Sequence, residues 1–145
     1  MNGFLSNRWV IGALRMSMGA VFVYAGVMKL MDPAQFADNI ASFRILPDSA
    51  INVLAMGLPP TEILAGLMMI FGWHHLTANL AILILTAIFA VALAQGLARG
   101  LQIDCGCFGV GEPSPIKTWI SLGRDIVLFA ASLMIYMAGL RLPQP

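Results

Sequence analysis

Residues 76–97, LTANLAILILTAIFAVALAQGL, contain no charged side chain. A helix needs roughly 20 consecutive, mostly apolar residues to cross the hydrocarbon core of a bilayer, so this stretch predicts a transmembrane helix. The whole chain has the same character, since 59% of its 145 residues are hydrophobic and 10% are charged. Soluble domains carry roughly 25% charged residues. A chain of this length cannot bury so much apolar surface within itself, so lipid must be its solvent.

Three other segments have the length and apolar content of spanning helices: residues 9–31, 50–71 and 117–140. The first is too long for a cleaved signal peptide, so we expect it to stay in the membrane. The second contains Pro59-Pro60, and a helix that began after these prolines would be too short to cross. We therefore expect a kinked, full-length span there. The predicted fold is an all-α membrane protein, with residues 1–145 forming a single four-transmembrane-helix bundle.

The connections between the spans differ in character. Residues 32–49 interleave apolar and charged side chains, which predicts a short interfacial helix after the first span and a turn at Leu46-Pro47-Asp48. Residues 72–75 predict a tight turn. An even number of spans places both termini on one side of the membrane, so the two long connections, 32–49 and 98–116, lie together on the other side.

A stripe at steps of three and four residues follows the first span and consists of Gly12, Arg15, Gly19, Phe22, Gly26 and Lys29. Glycines at this spacing let another helix approach closely, which predicts a helix–helix seam.

Glu62 lies near the middle of the second span, and Arg124 and Asp125 lie about two turns into the fourth. Ionisable groups at membrane depth usually pair or line a polar cavity. We expect Glu62 to pair with Arg15 or Arg124; a structural ion pair and a proton-handling or ligand-binding site both remain open.

The run Asp104-Cys105-Gly106-Cys107-Phe108-Gly109 holds both cysteines of the chain. Gly106 supplies the backbone freedom to bring the cysteine Cα atoms within the roughly 4.4–6.8 Å that a disulfide needs. So small a ring should be strained, and strained disulfides are readily reduced. The motif therefore favours a redox-active pair. Two other interpretations remain open: half of a copper or zinc site completed by a partner, and a structural or incidental pair.

Thiol–disulfide exchange requires a thiolate. Four cations come from the side of the membrane on which the cysteines lie and could favour that form: Arg99, Lys117, Arg124 and Lys29. Asp104 would oppose it or accept a proton. We predict Cys105, Cys107, Asp104 and Arg99 as the catalytic set. No residue is assigned to a bound metal, because two adjacent histidines at the tight turn, His74 and His75, cannot complete a site alone.

Further short motifs are spread over almost the whole chain: Gly26, Lys29, Asp32-Pro33, Phe36, Leu46-Pro47, Leu58-Pro59, Glu62, Gly66, Arg99-Gly100, Trp119 and Arg124-Asp125. With the cysteine run at residues 104–109, which is the most specific of them, they resemble the MauE/DoxX family of small bacterial membrane proteins. The resemblance is closer to MauE, the methylamine utilisation protein, than to DoxX.

The resemblance implies an inner-membrane four-helix bundle linked to redox maturation of periplasmic proteins. In this family MauE is associated with disulfide formation in a secreted dehydrogenase subunit, alongside a thioredoxin-like partner, and DoxX relatives with quinone-linked sulfur oxidation. The arrangement is also similar to vitamin K epoxide reductase, which uses a quinone. This chain departs from that enzyme because it has Cys-x-Cys and lacks a second cysteine pair, so any electron relay needs another protein. A quinone near Lys29, Glu62 and Arg124 is an inference by analogy.

Chemistry with secreted proteins needs the cysteines outside the cytoplasm, which predicts a periplasmic cysteine loop and cytoplasmic termini. The positive-inside rule predicts the opposite orientation, because more of the basic residues lie on the cysteine side. The cysteine side carries Lys29, Arg44, Arg99, Lys117 and Arg124, and the terminal side carries Arg8, Arg15 and Arg141. Arg15, Lys29 and Arg124 lie within spans and carry little weight in this count. We therefore keep the orientation that thiol chemistry with secreted proteins requires. The sequence contains no cluster of basic residues of the kind that binds nucleic acid.

The sequence thus predicts an inner-membrane thiol–disulfide redox protein. It would pass electrons between a periplasmic thioredoxin-like or maturing protein and a membrane acceptor, for which a quinone is one candidate. A secreted, disulfide-containing protein is the expected substrate. Two alternatives remain: a membrane protein that handles copper or zinc, and a non-catalytic assembly subunit of a membrane redox complex.

Overall fold

The structure is a computed structural model that describes residues 7–101 and 115–141, and within these residues the regular elements are all helices. In chain order they are α1 (Arg8–Met31), α2 (Pro33–Ser42), α3 (Asp48–Phe71), α4 (His75–Ala98) and α5 (Pro115–Arg141). Four of them, all except α2, are long and apolar enough to cross a membrane. The predicted all-α fold with four spans is confirmed, including the short helix after the first span.

The Asp32-Pro33 pair separates α1 from α2. Asp32 ends α1, and its side chain accepts a hydrogen bond from the backbone N–H of Gln35 at 3.0 Å. Pro33 occupies the first turn of α2, where a missing N–H costs nothing. One residue thus caps the new helix while its neighbour prevents the old one from continuing, so the chain can change direction within two residues.

The four long helices alternate in direction, which gives the bundle two ends. We call the end where α1 and α4 finish and α3 and α5 begin the loop end, and the opposite end the terminal end. In the sequence, residues 102–114 stand between α4 and α5. Trp9 and Trp73 lie at the terminal end and Trp119 near the loop end, and they are 87%, 76% and 61% exposed. Indole rings favour such membrane–water interfaces.

Helices α1 and α3 share the most extensive interface of the bundle. At its centre, a Cβ atom on Gly19 would lie 2.6 Å from the Gly66 carbonyl oxygen, and a Cβ atom on Gly66 would lie 2.7 Å from the Gly19 carbonyl oxygen. A Cβ atom on Gly26 would lie 2.9 Å from the Pro59 carbonyl oxygen. Backbone meets backbone at these points, so the predicted glycine seam is confirmed there. Gly12 does not take part, because a Cβ atom on it would meet nothing within 4 Å.

Helix α3 passes through Pro59 and Pro60 without ending. The predicted full-length span is therefore confirmed. A proline inside a helix has no N–H to donate to the carbonyl four residues before it, so Pro59 and Pro60 leave the Ala55 and Met56 carbonyls without their usual donors. The Thr61 hydroxyl donates to the Leu58 carbonyl at 2.7 Å. The first half of α3 packs against α2, where Phe36 and Ile40 are buried with Ile51 and Ala55.

An apolar cluster fills the terminal half of the bundle, and we call it the terminal cluster: Met18, Phe22, Ala65, Met69, Ala78, Ile82 and Ile135. One polar contact lies beside it. The Asn79 amide of α4 donates to the Ser132 carbonyl of α5 at 2.9 Å, and the Ser132 hydroxyl donates to the Asn79 side-chain oxygen at 2.8 Å. Both residues are completely buried, so this reciprocal pair joins α4 to α5.

Replacing Asn79 with alanine should lower the free energy of unfolding by about 1 kcal/mol, because hydrogen bonds between membrane helices contribute amounts of this order. Detergent-induced unfolding followed by circular dichroism measures the change. The matched control is Ser17→Ala, because the exposed Ser17 hydroxyl donates only to the Leu14 carbonyl of its own helix. A loss as small as that of the control would contradict the assigned role of Asn79.

Candidate functional site: a buried charge cluster

Lys29 and Glu62 form a direct ion pair inside the loop half of the bundle. The Lys29 Nζ donates to Glu62 Oε1 at 2.6 Å, and the two side chains are only 1% and 2% exposed. Lys29 lies in the last turn of α1 and Glu62 in the middle of α3. Charges this deep are costly to desolvate and persist only when well partnered.

Two aromatic rings complete the surroundings of the Lys29 ammonium. Its Nζ lies 5.0 Å from the centre of the Phe36 ring and 4.9 Å from that of the Phe89 ring. Ring faces attract cations at this range, and more strongly where water is excluded. Phe36 comes from α2 and Phe89 from α4, so the short helix and the third span both contribute to the ammonium site.

Helix α5 brings the second charged pair. The Arg124 guanidinium donates to Asp125 Oδ1 from Nε at 3.1 Å and from Nη2 at 2.9 Å. Asp125 is buried, whereas the Arg124 side chain is 23% exposed. We call Lys29, Glu62, Arg124 and Asp125 the charge cluster. It contains two cations and two carboxylates, and its formal charges sum to zero.

The four side chains of the charge cluster line one cavity of about 30 Å³ together with Thr86, Phe89 and apolar residues of α1 and α5. Thr86 is buried on α4, and its hydroxyl bonds to carbonyls of its own helix. With Phe36 against Lys29, all five helices meet around this ion pair. No other polar feature of the described residues draws on every helix.

The expected partners of Glu62 require correction. Arg15 does not reach it, because its guanidinium lies against Gly72 at the end of α3, ten residues or about 15 Å along the helix from Glu62. Arg124 lines the same cavity but has Asp125 as its described ion pair. Lys29 takes the place that we had predicted for an arginine. The predicted partner was an arginine, and the ion pair that the structure describes for Glu62 is instead with Lys29 of α1.

A polar stripe leads along α5 toward the charge cluster. Thr118, Ser121 and Asp125 are 0%, 7% and 5% exposed. Steps of three and four residues place them on one inward face of the helix. Thr118 lies near the start of α5, at the loop end, and Asp125 lies about 10 Å deeper. The inward face of α5 is therefore polar in the loop half and apolar in the terminal half, apart from Ser132.

The predicted catalytic residues lie partly outside the described part of the chain. Cys105, Cys107 and Asp104 fall within residues 102–114. Arg99 immediately follows α4 at the loop end and is exposed. Of the predicted cofactor-binding residues, Lys29, Glu62 and Arg124 are brought together around the cavity. Among residues 7–101 and 115–141 no three His, Cys, Asp or Glu side chains gather as a metal site.

The cavity tests the expectation of a bound quinone. Pockets that enclose organic ligands have volumes of roughly 300–1,000 Å³, whereas this cavity of about 30 Å³ suits a water molecule. As the helices pack here, the charge cluster does not accommodate a quinone ring. No chemical step is therefore assigned to a quinone at this site.

Several residues of the site escaped the sequence analysis. Thr118 and Ser121 could have been recognised together with Asp125, which the sequence analysis did note, since the spacing of the three residues alone places them on one face of α5. Thr86 could also have been placed, because it lies seven residues after Asn79 and so on the same face of α4, and both of these polar side chains are buried. Phe89 gave no such signal, because the apolar residues of α4 are spread over every side of the helix. Only the packing of α4 against α1 and α5 selects Phe89.

Comparison with known proteins identifies relatives of this chain. The family model described as "Methylamine utilisation protein MauE" matches residues 7–138. "Methylamine utilization protein MauE" of Paracoccus denitrificans is 37% identical over 136 residues, which cover 93% of this chain and 73% of that protein. The protein of that name from Paracoccus versutus is 36% identical over 134 residues, covering 92% and 72%.

A third relative, "Methylamine utilization protein MauE" of Methylorubrum extorquens, is 32% identical over 109 residues, covering 74% of this chain and 58% of that protein. No solved structure matches the chain. The MauE resemblance is thus confirmed over nearly the full length of the chain. The chain belongs to the MauE family of membrane proteins.

Proposed function

We propose that this protein is a thiol–disulfide redox protein of the bacterial inner membrane that serves methylamine utilisation, as the names of its relatives say of them. Cys105 and Cys107 exchange with a thioredoxin-like or maturing protein in the periplasm. One observation carries the proposal. In the sequence, the only cysteines of the chain lie between α4, which ends at the loop end, and α5, which begins there, and the charge cluster lies in the loop half of the bundle.

The exchange balances within the two proteins. A thiolate of the partner attacks one sulfur of the Cys105–Cys107 disulfide and forms a mixed disulfide, and the second partner thiol releases it. The partner leaves with a disulfide, and Cys105 and Cys107 remain as a dithiol. Returning them to the disulfide passes two electrons and two protons to an acceptor in the membrane. The reverse sequence reduces a partner disulfide.

Cations at the borders of the cysteine segment support this chemistry. Arg99 precedes the segment and Lys117 follows it, one at the end of α4 and the other in the first turn of α5. Positive charge favours the thiolate, which is the form that attacks. The positive end of the α5 helix dipole, at the start of that helix, also favours the thiolate. A periplasmic position of the loop end, with cytoplasmic termini, follows from the need for secreted partners.

Trapping of mixed disulfides in intact cells tests the proposal. In the reverse sequence, in which this chain reduces a partner disulfide, the second cysteine thiol of this chain releases the partner. Either Cys105→Ser or Cys107→Ser removes that thiol, so one of the two variants should accumulate a covalent complex with a periplasmic protein. The complex should disappear on treatment with a reductant, and mass spectrometry identifies the partner. The attacking cysteine is the one that remains in the variant that traps.

The matched control is the double variant Cys105→Ser/Cys107→Ser, which should trap nothing. Thiol labelling of the wild type should also show both a dithiol and a disulfide form. If the cysteines stay in one redox state and neither single variant traps a partner, the redox function is wrong. Metal that co-purifies only when both cysteines are present would favour the copper or zinc alternative. A stable complex that survives loss of both thiols would favour an assembly subunit.

A further inference from the structure

The polar side chains around the cavity are distributed unequally between the two ends of the bundle. Toward the loop end, Ser121 and Thr118 follow Asp125 along the inward face of α5, and both are buried. Toward the terminal end, Phe22 and Leu128 line the cavity, and the terminal cluster closes the bundle behind them. The Asn79–Ser132 pair beyond satisfies itself by reciprocal hydrogen bonds. Polar groups therefore lead from the charge cluster in one direction only.

The charge cluster is not needed to hold α1 against α3. Backbone contacts at Gly19, Gly66 and Gly26 already bring these helices together, and such close packing is a main source of helix association in lipid. A buried ion pair adds little stability over apolar side chains of similar volume, because the desolvation of two charges offsets their attraction. The position of Lys29 and Glu62 thus points to a role other than packing.

We propose that the charge cluster is a proton-exchange site that connects with water at the loop end through Ser121 and Thr118 and is closed toward the terminal end. The hydroxyls of Ser121 and Thr118 can each accept one proton and donate another, as proton relays require. The cavity of about 30 Å³ is large enough for a water molecule between the α5 stripe and the ion pair.

The proton balance involves no other reactant. A proton from water at the loop end forms one O–H bond on a carboxylate oxygen of Glu62 or Asp125, and the charge cluster changes from neutral to singly positive. Lys29 faces the site from α1 and Glu62 from α3, Arg124 and Asp125 face it from α5, and α4 and α2 contribute only Thr86, Phe89 and Phe36.

Infrared difference spectroscopy on the full chain in lipid nanodiscs tests the proposal. Lowering the pH should produce the C=O band of a protonated carboxyl group, and Glu62→Gln or Asp125→Asn should remove it. After rapid acidification, the double variant Thr118→Val/Ser121→Ala should show the same final band about tenfold more slowly, since each 1.36 kcal/mol added to a barrier slows a step tenfold.

Thr61→Val is the matched control for the loss of a hydroxyl. Thr61 is exposed and bonds only to carbonyls of its own helix, so this variant should respond as fast as the wild type. Where Glu62→Gln fails to fold, labelling by dicyclohexylcarbodiimide replaces it. This apolar reagent modifies protonated carboxyl groups, and mass spectrometry should locate it on Glu62 or Asp125 in increasing amount as the pH falls.

Two results would overturn the inference: no carboxyl band and no carbodiimide labelling on acidification, or a Thr118→Val/Ser121→Ala response as fast as that of the wild type. The proposal is independent of thiol chemistry, so Cys105→Ser/Cys107→Ser should keep the band and its rate. A cysteine pair without redox activity would therefore contradict only the redox function, and a missing carboxyl band would contradict only the proton-exchange site.

Discussion

Replacing Lys29 with methionine should lower the free energy of unfolding by about 3–5 kcal/mol, because it leaves the Glu62 carboxylate buried without its ammonium partner. Both side chains are almost completely buried, and their atoms lie 2.6 Å apart. Methionine keeps most of the volume of lysine and its packing against the rings of Phe36 and Phe89. The loss in free energy of unfolding therefore measures the effect of removing the ammonium charge. Detergent-induced unfolding followed by circular dichroism measures it.

The double variant Lys29→Met/Glu62→Met provides the decisive comparison. Removing both charges eliminates the desolvation cost along with the attraction, so the double variant should recover most of the stability lost by Lys29→Met. If Lys29→Met alone costs less than about 1 kcal/mol, in the range of an exposed ion pair, then Lys29 is not the main partner of Glu62.

Replacing Gly66 with leucine should cost about 3 kcal/mol, the upper part of the usual range for overpacking. The Cβ atom alone would lie 2.7 Å from the Gly19 carbonyl oxygen and 2.8 Å from a Val23 methyl carbon. The carbonyl belongs to the backbone of α1 and cannot rotate away, so the two helices must separate. That separation should also pull Lys29 away from Glu62, and thermal unfolding in lipid nanodiscs would detect the combined loss.

Gly57→Leu is the matched control on the same helix. A Cβ atom at Gly57 would meet nothing within 4 Å. The change should therefore be neutral or stabilising by up to about 1 kcal/mol, because leucine favours a helix over glycine by that amount. If Gly66→Leu and Gly57→Leu behave alike, the close contact between α1 and α3 does not organise the bundle. Gly19→Ala added to Gly66→Leu should cost little more, because the helices are already apart.

Local features of the sequence predicted most of the architecture. An uncharged stretch such as residues 76–97 can only be solvated by lipid, and Asp32-Pro33 stops one helix while starting the next. The persistence of α3 through Pro59 and Pro60 followed from the length that a span requires. The seam at Gly19 and Gly26 also followed from spacing. Gly12 has the same spacing but lies beyond the close contact, a difference that periodicity alone does not encode.

The choice of partner for Glu62 was decided by tertiary structure. Glycine contacts fix the axial position of α1 against α3, with Gly26 opposite Pro59. Side chains lean toward the N-terminus of their own helix, and these helices run in opposite directions. Lys29 therefore leans toward the terminal end and Glu62 toward the loop end, so the two meet. Sequence position alone could not reject Arg15, which lies about four helix turns from Lys29 on α1, or Arg124, which lies on another helix.

What the sequence by itself determined is the membrane class, the number and limits of the spans, the glycine seam and the presence of ionisable groups at membrane depth. These follow from composition and from the local periodicity of helices. Only the tertiary structure decided that Lys29 pairs with Glu62, that Phe36 and Phe89 enclose the ammonium, and that the α5 stripe leads to one end. Each of these depends on the rotation and axial offset of one helix against another, which are set by contacts distant in the sequence.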